Sequence, residues 1–275
     1  MTLSGRNAFF RVGIALCAIS SLLILAVSFL LIPAYPNMEE NTRRPADFFQ
    51  VLIGKFLKTS YFAVHTSMIM VVLFSLIGII LIFYYFEQTS APEILYIAFF
   101  TVSFSFETIR FILPLQYIYD IPSFYMLIAS RALLFARYFG IFSLVTASIC
   151  AAGLEVQMTR NAIMIIIIAT LAIVGVPIDT QSWDTGFNAI HGFNNMFRLI
   201  EIAAFFSIVV SFFIAVHVRG SKEYAYIGIG FVIALVGRYF LLYFDNWAGP
   251  VPGILMLSFG MWFVCSKLHR IYLWL

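Results

Sequence analysis

Eight times along the chain an apolar run comes close to the roughly 20 helical residues needed to cross the hydrocarbon core of a bilayer. The runs are Val12 to Ile32, Tyr61 to Phe86, Ile94 to Leu113, Phe124 to about Ala152, Ala162 to Ile178, Met196 to Val216, Ala225 to Phe244, and a last one from Val251 that needs the residues up to Leu275 to reach full length. In lipid, backbone polar groups must pair among themselves, so only helices or a closed barrel can use such runs. A barrel would show segments of about ten residues alternating apolar and polar. These runs are continuous, and they predict an all-α fold: a polytopic transmembrane helix bundle of about eight spans.

Composition agrees where it can be decisive. Only 11% of the residues are charged, against about 25% in a soluble domain. Charge that sparse excludes a disordered chain and leaves no nucleic-acid partner, since phosphates need basic residues to neutralise them. Cys17, Cys150 and Cys265 all lie inside apolar runs, with no C-x-x-C or Cys/His spacing. No disulfide, no metal and no cofactor is expected.

Short connections, Glu87 to Pro92 and Gly153 to Asn161, make successive helices antiparallel neighbours. Residues 1–275 therefore read as one integral-membrane domain with no soluble domain. Two connections are longer. Over 36–58 an external loop ends in Phe48, Phe49, Leu52, Phe56 and Leu57 at helical spacing opposite Gln50 and Lys58, the pattern of a short interfacial amphipathic helix. Pro177 to Asn195 carries Asp179, Trp183, Asp184 and His191 and predicts a lid or a re-entrant turn.

Basic residues flanking the spans set orientation. With eight spans and the N-terminus inside, Arg6, Arg11, Arg160, Arg219, Lys222, Lys267 and Arg270 fall in the cytoplasm, and Arg43, Arg44, Lys55 and Lys58 fall outside. The expectation is a bacterial cytoplasmic membrane protein, multi-pass, with both termini inside. Two arginines before an apolar run also describe a signal peptide, whose removal would leave seven spans. The first run exceeds the usual h-region of about 7–15 residues and no clear cleavage site follows it, which favours retention.

Inside the predicted spans lie Glu107, Arg110, Arg131, Arg137, Arg198, Glu201 and Arg238. Each costs about 2.5–3.5 kcal/mol near a helix centre, on the order of 15–20 kcal/mol together, so such residues face the bundle interior or water and mark functional sites. Alternation of the helices places Glu107, Arg110, Arg198, Glu201 and Arg238 in the external half of the membrane. Arg131 comes early in its inward-running span, and Arg137 nearer the middle. Glu107 and Arg110, like Arg198 and Glu201, are three apart and share a helix face. Tyr138 and Tyr239 follow arginines in the matching tripeptides Arg137-Tyr138-Phe139 and Arg238-Tyr239-Phe240, a match that fits an internal repeat of the transporter type.

Five arginines against two glutamates leave three uncompensated positive charges. Guanidinium groups match carboxylate and phosphate bidentately. The reading with functional content is an outward-facing pocket for a small anion or an acidic headgroup, lined by Glu107, Arg110, Arg131, Arg137, Tyr138, Arg198, Glu201, Arg238 and Tyr239, in a transporter. The competing reading has the ion pairs staple helices while the spare arginines snorkel outward.

No H-E-x-x-H, G-x-S-x-G or P-loop pattern occurs, and no catalytic residue or enzyme activity is predicted. A heptahelical-type sensor or receptor module without an output domain, and an assembly subunit pairing its charges with a membrane-protein partner, are the alternatives to transport. The bilayer itself is the first partner.

Overall fold

The computed structural model describes residues 3–31, 58–87, 89, 91–119, 122–153, 158–184, 186–191 and 194–273. Most of the 36–58 loop, with the predicted interfacial helix, Arg43, Arg44 and Lys55, lies outside the described residues. Among the described residues eight helical rods follow one another: α1 (Leu3–Leu31), α2 (Tyr61–Phe86), α3 (92–119), α4 (Ser123–Ala152), α5 (Thr159–Val174), α6 (Asn194–Arg219), α7 (Glu223–Tyr243) and α8 (Pro250–Leu273). Seven of them, all but α5, are long and apolar enough to cross a membrane. The α5 helix has 16 residues, about 24 Å of rise. Pro177, with Gly175 two residues before it, stops α5 short of the predicted Ile178, because the ring cannot continue an α ladder.

Rod α3 is composite. Pro92–Ser103 is α-helical, Phe104–Phe111 is a 3₁₀ stretch, and Ile112–Tyr119 resumes the α form. The run therefore continues through Pro114, where the sequence predicted its end. Pro114 has no N–H to donate to residue 110, and the α ladder lapses in the turns just before it. Burial follows the change of pitch. Phe104, Glu107 and Arg110 are buried, as are Ser105, Thr108 and Phe111, while Phe106 and Ile109 are less covered, a period of three that matches the eclipsed i, i+3 side chains of a 3₁₀ helix.

Five consecutive buried residues, Ile94 to Ala98, show that α3 is enclosed on all sides. It is the axis of the bundle. Helix α1 packs against this centre with Arg6, Phe10, Gly13, Cys17, Ser21, Ile24, Ser28 and Leu31 buried, the three-and-four spacing of a packing seam. The opposite faces expose large apolar side chains, among them Phe29, Tyr84, Phe213 and Trp262.

Contacts define two ends. Arg6 Nη2 donates to the carbonyls of Phe86 and Glu87, 2.8 Å each, placing a cation on the C-terminus of α2 where its orphan carbonyls need one. Tyr272 donates to Glu93 at 2.9 Å, Tyr96 to the Thr159 carbonyl at 3.1 Å, and Lys267 pairs with Glu223 at 2.9 Å. Arg219 donates to the Cys150 carbonyl at 3.3 Å. This is the basic end. The far end is closed by a β-hairpin, β1 (Ile178–Trp183) antiparallel to β2 (Ala189–His191), in the connection where the sequence predicts a lid or a re-entrant turn. Because α4 and α6 both finish at the basic end, α5 runs back between them to the hairpin end.

Helices α7 and α8 pack backbone against backbone. A Cβ on Gly237 would strike the backbone of Gly253 and Leu257, and one on Gly260 would strike Gly230 and Ala234. Small residues let these backbones touch.

Candidate functional site

The 3₁₀ pitch superposes Glu107 and Arg110, and both are buried at the hairpin half of the bundle. Arg110 Nη1 reaches Glu107 Oε2 at 3.3 Å. The stronger partner comes from α4: Arg137 Nε and Nη2 donate to Glu107 Oε1 and Oε2, 2.7 Å each. That bidentate fork engages both carboxylate oxygens. Arg110 Nη2 donates in turn to the carbonyl of Gly186 at the hairpin tip.

The tip is a plug. Phe187, held at φ 54°, is fully buried and stacks on Tyr61 with ring centroids 5.3 Å apart. Gly186 lies against both Arg110 Nη2 and Asp245 Oδ1, with no space for a Cβ. Ser60 N donates to the Asp245 carbonyl at 2.9 Å. The hairpin is thereby pinned to α2, α3 and the turn between α7 and α8.

A second polar cluster joins α6 to α7. Tyr243 donates to Glu201 Oε1 at 2.7 Å, and Arg238 Nη1 approaches the same oxygen at 3.5 Å. Arg238 is 5% exposed, and its Nη2 is buried without an acceptor. The expected Glu201 partner, Arg198, is exposed and forms no ion pair among the described residues. The acid of α3 thus serves an arginine of α4, and the acid of α6 serves an arginine of α7.

Between α4, α6, α7 and the hairpin lies a cavity of about 910 Å³. Six of the sequence-predicted residues line it: Arg137, Tyr138, Arg198, Glu201, Arg238 and Tyr239. Tyr138 also ties α4 to α6, its hydroxyl 3.5 Å from the Phe197 carbonyl. Glu107 stands behind Arg137 and outside the lining, and Arg110 belongs to the hairpin contact. Arg131 is exposed on α4, away from this cavity. Asp184, Asn188 and Tyr243 join the lining. Only the polar clustering of the Pro177 to Asn195 connection hinted at the first two.

The expected positive excess does not survive assembly. With Arg131 outside, four arginines meet four carboxylates, because Asp184 lines the cavity and Asp245 lies beside Arg110. The opportunity for an anion is local. Arg137 commits its Nε and Nη2 to Glu107, whereas Arg238 Nη2 is buried without an acceptor and Arg198 forms no ion pair among the described residues. Among the described residues no group of three His, Cys, Asp or Glu could hold a metal ion. No family model, curated protein or solved structure matches the chain.

Proposed function

We propose that the chain is a multi-pass integral membrane protein that binds an anionic group in the cavity between α4, α6 and α7 and carries it across the bilayer. The observation that carries this reading is Arg238: a buried guanidinium in the cavity wall, its Nη2 without an acceptor. Arg238 is paired with Glu201 through Nη1, but a buried donor left without an acceptor still costs about 1–3 kcal/mol. A bound carboxylate or phosphate would relieve that cost, with Arg198 able to add a second fork. Transport is supported by the repeated acid-to-arginine pairing of α3–α4 and α6–α7, which fits the repeats of transporter folds.

The reading includes eight crossings, with α1 retained and α5 as the short span. Arg6, Arg160, Arg219, Lys222, Lys267 and Arg270 gather at the basic end, which is then cytoplasmic. The cavity opens at the opposite, external side.

The test is uptake into proteoliposomes from a panel of organic acids and phosphorylated compounds, with Arg238→Lys beside the wild type. Lysine keeps the charge and loses the planar fork, so anion binding weakens by about 1–3 kcal/mol while folding is preserved. Binding without flux moves the assignment to a sensor. Neither binding nor flux from the whole panel, in folded protein, removes the reading.

A further inference from the structure

The cavity has two tiers along the helix axes. Nearest the hairpin its wall is polar: Arg137, Arg198, Glu201, Arg238 and Tyr243. Toward the basic end the lining turns wholly apolar, with Ile141, Phe205, Ile208, Leu235 and Val236. Ile208 is seven residues beyond Glu201 on α6, so the apolar tier extends for about 10 Å. A small hydrated anion has no use for such a tier.

The wall also reaches the flank of the bundle. Phe206, 61% exposed, and Ile202, 45% exposed, both line the cavity and both lie below Arg198 toward the basic end. Across from them on α7, Tyr239 is 48% exposed and lines it too. Toward the basic end α6 and α7 close on one another, with Phe212 packed on Phe231 at 4.9 Å between centroids and against Gly228. Nearer the hairpin the side chains of Glu201, Arg238 and Tyr243 bridge the two helices, and between that bridge and the Phe212–Phe231 contact the cavity lining reaches the flank at Ile202, Phe206 and Tyr239, at a depth where a bilayer would present acyl chains.

From these features we infer that the ligand is a membrane-borne amphiphile. Its carboxylate or phosphate headgroup is held by Arg238 and Arg198, and its alkyl chain lies along the Ile208 and Leu235 tier, entering through the flank between α6 and α7. The inference rests on the anion-site reading above. A chain that leaves the bilayer for this tier exchanges one apolar surrounding for another, so it gains little from burial itself. What the chain supplies is delivery, by concentrating the headgroup in the membrane at the depth of the arginines. Discrimination belongs to the guanidinium groups.

The experiment is equilibrium binding to the full chain in phosphatidylcholine nanodiscs, with empty nanodiscs subtracted. The radiolabelled probes are dodecyl phosphate, laurate, inorganic phosphate and dodecyl maltoside. At least one of dodecyl phosphate and laurate should bind with an apparent affinity at least about tenfold above both inorganic phosphate and dodecyl maltoside. Leu235→Trp, which fills the apolar tier, should weaken the amphiphile about tenfold and leave inorganic phosphate unchanged. Val236→Phe serves if that variant does not fold. Inorganic phosphate bound as well as dodecyl phosphate overturns the amphiphile and leaves the anion site standing. Dodecyl maltoside bound as well as the charged amphiphiles, or no probe bound at all, overturns both.

Discussion

Glu107 neutralises two buried arginines at once. Its replacement by leucine strands Arg137 and Arg110 together, a loss on the scale of 3–5 kcal/mol for a broken buried pair. Spacing alone would pair Glu107 with Arg110 and choose those two for a compensating double change. The fork from α4 points elsewhere. Glu107→Leu with Arg137→Leu should regain most of the lost stability, whereas Glu107→Leu with Arg110→Leu should not, because the second combination leaves Arg137 charged, buried and alone. Thermal unfolding of the three proteins in detergent checks the order, and equal losses would show the groups to be solvated. The same geometry separates two arginines that look alike in the sequence. Arg137→Lys gives up a 2.7 Å bidentate fork and should lower folding stability by about 1–3 kcal/mol, while Arg238→Lys should lower ligand binding and leave unfolding nearly unchanged.

At the scale of elements, the α7–α8 contact and the hairpin plug make different demands on their residues. Gly237 meets backbone atoms of α8, which cannot rotate away as a side chain can. Gly237→Leu should therefore force the helices apart and cost at least the 1–3 kcal/mol typical of overpacking, visible as a lower unfolding temperature. A substitution at Gly153, which has open space around it but φ 122°, should cost only its backbone strain. The plug depends on Phe187. Its truncation to alanine empties the space beside Tyr61 and should destabilise by about 3–5 kcal/mol. If the hairpin instead swings free of the bundle without loss of stability, Phe187→Ala will leave the unfolding temperature unchanged and increase proteolysis between β1 and β2. The 3₁₀ stretch has a sequence cause in Pro114, but its extent does not follow from one proline. Eight residues hold that pitch where the packing of α1, α2 and α4 around them rewards a period of three.

For the whole molecule, the parallel course of α4 and α6 fixes the parity of the chain. Reporter fusions after Gly153 and after Gly220 should agree with each other and report cytoplasm, and a fusion at Asp184 should report the exterior. Disagreement between the first two would mean that α5 does not cross. The helical class, the places of the long apolar rods and the identity of the costly charges were legible in the sequence, because hydrophobic run length and charge within a run are local properties that neighbouring residues cannot hide. The rest depended on distance. Glu107 and Arg137 stand 30 positions apart, and Arg110 and Gly186 stand 76 apart, so no spacing rule could join them, while the spacing that did suggest Arg198 with Glu201 lost to Arg238 and Tyr243 arriving from α7. The hairpin brought Asp184 to the cavity and the α7–α8 turn brought Asp245 beside Arg110, cancelling a positive excess counted only over helices. Which charges cancel and which keep spare donors is decided by three-dimensional proximity in a low-dielectric interior, where each buried ion takes the nearest partner that removes its desolvation cost.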